Sequence, residues 1–276
     1  LLCNSGDEVL IPKPSYPLFD FLALLENVTP SAYPIDIGPN SNISPRSRAI
    51  ITVHPNNPTG EFLSEARKQN LFALCERHDI PLIIDEVFLD YAMENTASSS
   101  SVTTINDCLV FTLSGLSKVA ALPQVKLSWI ALSGSSIKVR EAIKRLEYIA
   151  DTYLSVGSQV QLSVPHILKN ATSIQKTILA RIQENQDALE QITSAFPAVT
   201  IFRPEGGWYG NLKLPALQSS EEWALDFLRE GRVYIHPGLF FGFSQESHCI
   251  VSLIVPPDKF RQGIKEILQV VLNRLG

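Results

Sequence analysis

Short apolar runs alternate with stretches of helical periodicity over the first 170 residues, and that alternation limits what the chain can fold into. The runs lie at 8–11, 33–37, 49–53, 81–85, 108–113 and 128–133. Each is too short for a helix, and most are bounded by Pro, Gly, Asn or Asp. Between two of them, Ser64 stands where an N-cap belongs, with Glu65 in the first turn, and Leu71, Leu74, Cys75 and His78 then share a helical face. Strands separated by helices predict βαβ units, hence an α/β fold with a mostly parallel sheet in a three-layer αβα domain.

The pattern changes further on. Ile178, Ile182, Leu189, Ile192 and Phe196 make one stripe of a long helix. Short strands near 199–203, 208–213, 232–236 and 250–254 then surround a helix starting at Ser219, where Ser219 and Glu222 form a capping-box pattern and Gly231 marks the stop. A final helix carries Phe260, Ile264, Ile267, Leu268, Val271 and Leu275 at helical spacing. The expected division is a large domain over 1–170 and a smaller C-terminal α+β domain over 171–276.

Composition excludes several function classes. Of 276 residues, 45% are hydrophobic and 18% charged, which is neither a disordered chain nor a coiled coil. A net charge of -5 without basic runs argues against a nucleic-acid partner. No apolar run approaches the roughly 20 residues of a membrane span, and no signal-peptide layout is present, so the expectation is a cytoplasmic protein with no membrane partner. Cys3, Cys75, Cys108 and Cys249 lie far apart without ligand spacing, so no metal is expected. Leu1 to Asp7 reads as the tail of a helix running into a turn, which suggests a chain whose front is absent.

Three strand ends carry the chemistry. Strand 49–53 runs into His54-Pro55-Asn56-Asn57-Pro58-Thr59-Gly60, a turn fixed by proline and glycine that presents Asn side chains. Strand 81–85 ends in Asp85-Glu86, a carboxylate directly after a buried run, which needs a partner. Strand 108–113 ends in Ser114-Gly115-Leu116-Ser117-Lys118, and a lysine in a desolvated pocket can lose its proton and act as a nucleophile.

Together and in this order, the Asn57-Pro58-Thr59-Gly60, Asp85-Glu86-Val87 and Ser117-Lys118 blocks resemble the class I/II aminotransferases of pyridoxal-phosphate (PLP) fold type I, N-terminally incomplete. The resemblance implies PLP as cofactor and amino-group transfer between an amino donor and a 2-oxo acid. Lys118 matches the lysine that holds the cofactor as an internal aldimine and then serves as general base. Asp85 matches the carboxylate that keeps the pyridine nitrogen protonated. Asn57 matches the amide that donates to the phenolic oxygen, with a cis bond to Pro58 expected. Tyr16 matches the aromatic residue stacked on the ring; read without the family, it is a strand-end core tyrosine. Lys126, Ser117 and Ser114 are the matching phosphate ligands. Gly206-Gly207-Trp208-Tyr209 and His236-Pro237-Gly238 resemble turns near the substrate pocket, and plain turns read equally well. The family also implies a homodimer. Alternatives on the same residues are a PLP-dependent lyase or decarboxylase, and a non-catalytic PLP-binding relative.

The chain departs from the family at two informative positions. Phe88 stands where many relatives have a tyrosine, and it cannot donate to the cofactor. Ile250 occupies the slot of the arginine that clamps the substrate carboxylate; Arg232 and Arg261 are the nearest cations in sequence.

Overall fold

A computed structural model describes residues 1–93, 100–102, 108–153, 155–243 and 247–276. The polar, low-complexity sequence at 95–104, which predicts a loop, lies mostly outside the described residues. The first sheet holds β1 (Glu8–Lys13), β2 (Thr29–Pro34), β3 (Ser47–Val53), β4 (Leu82–Asp85), β5 (Val110–Gly115) and β6 (Ser128–Ser133), in the order β2-β1-β3-β4-β5-β6. All neighbours are parallel except β6, which runs antiparallel to β5.

The twofold periodicity of a strand sends successive side chains to opposite faces, and here both faces are covered. Leu10, Ile50, Leu82, Ile84 and Val110 pack with Leu71, Leu74 and Cys75 of α2 (Glu65–His78). Val9, Ile11, Ala49, Ile51 and Ile83 pack on the other face with Phe19 and Ala23 of α1 (Leu18–Leu25). The expected N-cap is present, with Ser64 Oγ accepting from the Arg67 N–H.

Three strands differ from their sequence reading. The apolar run at 33–37 is mostly loop. β2 is set instead by β1, which it pairs from Glu8 with Thr29 to Lys13 with Pro34. As an edge strand it tolerates Pro30 and Pro34, which an inner strand would not. The segment 232–235 is not a strand, because Arg232 takes a left-handed φ of 54° and the Val233 N–H is tied back to the Phe227 carbonyl at 3.0 Å. The last strand lies earlier than 250–254, since the chain beyond Ser252 turns toward the final helix.

The second sheet, β7-β8-β10-β9, is antiparallel and built from β7 (Thr200–Phe202), β8 (Tyr209–Lys213), β9 (His236–Pro237) and β10 (His248–Ser252). Between the sheets come α3 (Leu116–Val119), α4 (Ser136–Thr152) and α5 (Ser158–Thr193); α6 (Ser220–Arg229) and α7 (Pro257–Leu275) follow β8 and β10. The helix α5 runs unbroken through residue 170 and brings Ile182 and Leu189 onto the second sheet's core. There Leu212, Cys249, Val251 and Leu253 meet Trp223 and Phe227 of α6 and Phe260, Ile264 and Ile267 of α7. The capping box at Ser219 and Glu222 is formed. Among the described residues, no helix is long and apolar enough to cross a membrane.

Phe227 is fully buried and stacked on Trp223 with ring centroids 5.6 Å apart. Phe227→Ala is expected to cost about 3–5 kcal/mol of unfolding free energy, against about 1 kcal/mol for loss of the cap in Ser219→Ala. Urea unfolding of both variants beside the parent chain checks that ranking.

Candidate active site

The three chemistry-bearing segments leave adjacent strands at one edge of the first sheet. Val53 is in register with Asp85, and Asp85 with Leu113, so residues 54–60, 85–91 and 114–118 emerge side by side. That is the edge where open α/β sheets bind ligands.

Side chains lock the first segment. Asn56 Nδ2 donates to the Pro14 carbonyl at 3.1 Å and to Thr59 Oγ1 at 3.0 Å, while Ser15 Oγ donates to Asn56 Oδ1 at 3.3 Å. These bonds fasten the turn to the segment carrying Tyr16. The Asn57–Pro58 bond is cis, as the sequence led us to expect, and so are Lys13–Pro14 and His54–Pro55. Gly60 has φ 74°, and a Cβ there would stand 2.3 Å from Pro204 Cβ. No other residue fits so close an approach. The Gly206 N–H donates to the Gly60 carbonyl at 3.0 Å, and a Cβ on Gly206 would meet Phe62 Cε2 at 2.6 Å. Two backbones, one from each sheet's loops, touch here and set the Trp208 turn beside the Asn57 turn.

Asp85 ends β4 recessed below the surface, and its Oδ1 accepts one hydrogen bond, from the Val87 N–H at 3.0 Å. Burial raises its pKa, with the Val87 N–H and the charge of Lys118 working in the opposite direction. Lys118 sits in α3 with Nζ 4.9 Å from the Trp208 ring centroid and 5.6 Å from that of Phe88. Burial lowers its pKa, against the pull of Asp85. The two feel each other's charge, yet among the described residues neither makes an ion pair. Burial likewise raises the Tyr16 phenol, helped by Asp85, and raises Tyr209, helped by Tyr16. Asn57 is buried, and among the described residues its Oδ1 has no hydrogen-bond partner. Asp85, Lys118 and Tyr16 thus share one electrostatic neighbourhood, and Asn57 borders it on the next strand end.

The remaining candidates are placed less tightly. Ser114 lies in β5 opposite Trp129, and Ser117 is the residue before Lys118. Lys126 is exposed with φ 53°. Its neighbour Leu127 accepts the Leu116 N–H at 3.0 Å, which brings the Lys126 backbone beside the start of α3. Ile250 is fully buried, opposite Asn211 on β8 and His236 on β9. Of the two arginines nearest in sequence, Arg261 pairs with Glu184 at 3.2 Å, and Arg232 lines a cavity of about 590 Å³ against α7.

Sequence reasoning missed three contributors. Trp208 is the aromatic surface nearest the Lys118 amine; the Gly-Gly-Trp-Tyr block signalled a turn but not that contact. Tyr91 is fully buried behind it, with no sequence signal at all. Glu86, buried beside Asp85, accepts from Ser101 Oγ at 2.7 Å and the Val102 N–H at 2.6 Å, anchoring a returning loop.

A family model for aminotransferase class I and II matches residues 1–266. The chain belongs to that family. Among curated relatives, the glutamate-pyruvate aminotransferase AlaA of Escherichia coli K12 is 26% identical over 268 residues. The match takes in 91% of this chain and 66% of AlaA, so the chain spans just under two thirds of that relative's length. The solved alanine aminotransferase of Pyrococcus furiosus superposes with a TM-score of 0.88 at 23% identity, covering 99% of this chain and 72% of that one. A PLP-bound structure from Clostridium difficile 630 gives 0.80 at 18% identity, over 98% and 73% of the respective chains. The architecture is that of fold type I aminotransferases.

For this class I and II chain, the raised pKa of Asp85 fixes the sign of a stability effect. A carboxyl whose folded pKa lies above its unfolded value destabilises the fold once pH rises past the unfolded pKa. Asp85→Asn is therefore expected to raise the melting temperature of the chain without added ligand at neutral pH. The gain should fade as pH falls to the ordinary Asp range, where both residues are neutral. Melting curves across that range check it; a gain that persists in acid would contradict a buried charge as the cause.

Proposed function

We propose that this chain is a PLP-dependent aminotransferase moving an amino group between an amino donor and a 2-oxo acid. One observation carries the reading: a recessed carboxylate and a recessed amine lie within each other's field but unpaired, next to a buried amide with one end unsatisfied. Burying such groups without partners is costly. A ligand with a ring N–H for the carboxylate, an electrophilic carbonyl for the amine and, with the Asn57 amide turned over, an acceptor oxygen would engage all three, and PLP has these features. When bound, it supplies an aldehyde that condenses with amines and a ring that withdraws electrons from bonds at the substrate Cα.

The chain's own residues then divide the work. Asp85 accepts from the ring N–H and, as an anion, holds that proton in place. Lys118, whose pKa burial lowers, supplies the amine that anchors the cofactor, then takes and returns the proton at the substrate Cα. Asn57 can donate to the ring oxygen once its amide is turned over, and Tyr16 covers the ring face. Ser114, Ser117 and Lys126 hold the phosphate, the lysine as a point charge without arginine's fork. In the same reading, residues 1–170 form the cofactor unit and 171–276 the smaller unit. A homodimer belongs to it on the strength of the family resemblance, and a cytoplasmic location is carried over from the sequence reading.

Product analysis after one turnover, with PLP, a panel of amino acids and amines, and no oxo acid, separates this from a lyase or decarboxylase. The expected result is one equivalent of pyridoxamine phosphate per active site, with a matching oxo product. Recovery of the aldehyde form with ammonia or carbon dioxide released would assign the chemistry to those alternatives. The panel starts from alanine and glutamate, which the relatives' names suggest, and extends to amines lacking a carboxylate because Ile250 offers that group no charge.

A further inference from the structure

Lys118 stands on a four-residue helix, α3. In so short a helix every backbone group is a terminal one, and a single turn does not hold itself together. Two side chains from elsewhere supply the missing hold. Tyr91, at the end of a short turn six residues beyond Asp85, donates its hydroxyl to the carbonyl of Lys118 at 2.6 Å. That carbonyl also receives the Ala121 N–H at 3.3 Å. Gln175, from α5, donates Nε2 to the next carbonyl, Val119, at 2.9 Å.

Tyr91 does more than hold a carbonyl. Its ring is fully buried, edge-on to Trp208 at 5.0 Å between centroids, and Trp208 is the ring beside which the Lys118 amine rests. The Tyr91 carbonyl also accepts the N–H of Gly207, immediately before Trp208, at 3.0 Å. One residue thus fixes Lys118 at both ends: the main chain through a hydroxyl, and the amine through the aromatic surface next to it.

We propose that Tyr91 is a positioning residue for Lys118, setting where its amine stands between the aromatic rings and Asp85, with Gln175 holding the adjoining carbonyl. The proposal rests on the reading that Lys118 is the reacting amine. Burial, with the charge of Asp90 adding to it, pushes the Tyr91 hydroxyl up to about 12. The hydroxyl therefore stays a donor through the neutral range. Asp85, from β4, is the charged group that acts on the Lys118 amine, and Tyr16 and Tyr209 lie beyond it. The surfaces nearest the amine, Phe88 and Trp208, are uncharged.

The test is competitive acetylation with acetic anhydride across the neutral-to-alkaline range, on the whole chain without cofactor. Peptide mass spectrometry follows Lys118 against the exposed Lys144. Tyr91→Phe removes the hydroxyl and keeps the ring. With the helix freed, the amine gains water, and its apparent pKa is expected to rise by about half a unit or more, a roughly threefold drop in neutral amine near pH 8. Gln175→Met should move it the same way by less. A folded Tyr91→Phe chain that labels Lys118 with the parent's pKa would overturn the proposal, whatever happens to its melting temperature. If Tyr91→Phe does not fold, Gln175→Met decides alone: an upward shift supports the proposal, and a parent profile overturns it. Adding PLP to the parent tests the underlying reading separately. Absence of protection at Lys118 would count against the lysine's role while leaving the Tyr91 effect measurable.

Discussion

An acid and an amine that sense each other without pairing are the constraint around which the rest of this structure is arranged. Salt-bridge formation between Asp85 and Lys118 would satisfy both groups and leave neither for a ligand. The fold prevents it by placing them on different supports. Asp85 is fixed at a strand end by the Val87 N–H, and Lys118 rides a short helix whose amine is directed onto Trp208 and Phe88. Keeping such groups recessed and unpaired costs stability, a cost typical of sites organised for chemistry rather than for folding.

The aromatic surfaces beside the amine come from both sheets' loops: Phe88 follows β4, and Trp208 precedes β8. Their relative position depends on the Gly60–Gly206 contact, where two glycines allow a backbone approach that any side chain would block. Tyr91 lies behind that contact and links it to the lysine's own carbonyl. Ile250 is buried within the second sheet, in register with Asn211 and His236.

Much of this was legible in the sequence because it depends on local rules. Strand ends, the caps at Ser64 and Ser219, and the polar residues directly after apolar runs follow from periodicity and hydrogen-bond satisfaction within a few residues. The misplaced elements depend on partners far away. β2 took its register from β1 rather than from its own apolar run, and 232–235 was drawn off the sheet by a bond to α6. The two carbonyl clamps on α3 are invisible for the same reason. Tyr91 and Gln175 reach Lys118 and Val119 across 27 and 56 residues of sequence, and neither sits in a motif.

Whether Lys118 is the anchoring amine is measured by mixing the purified chain with PLP, reducing with borohydride, and mapping the product by peptide mass spectrometry. A pyridoxyl group is expected on Lys118, with Lys126 and the other exposed lysines unmarked at low excess. A folded chain that carries the mark elsewhere, or carries none, would contradict Lys118 as the anchoring amine.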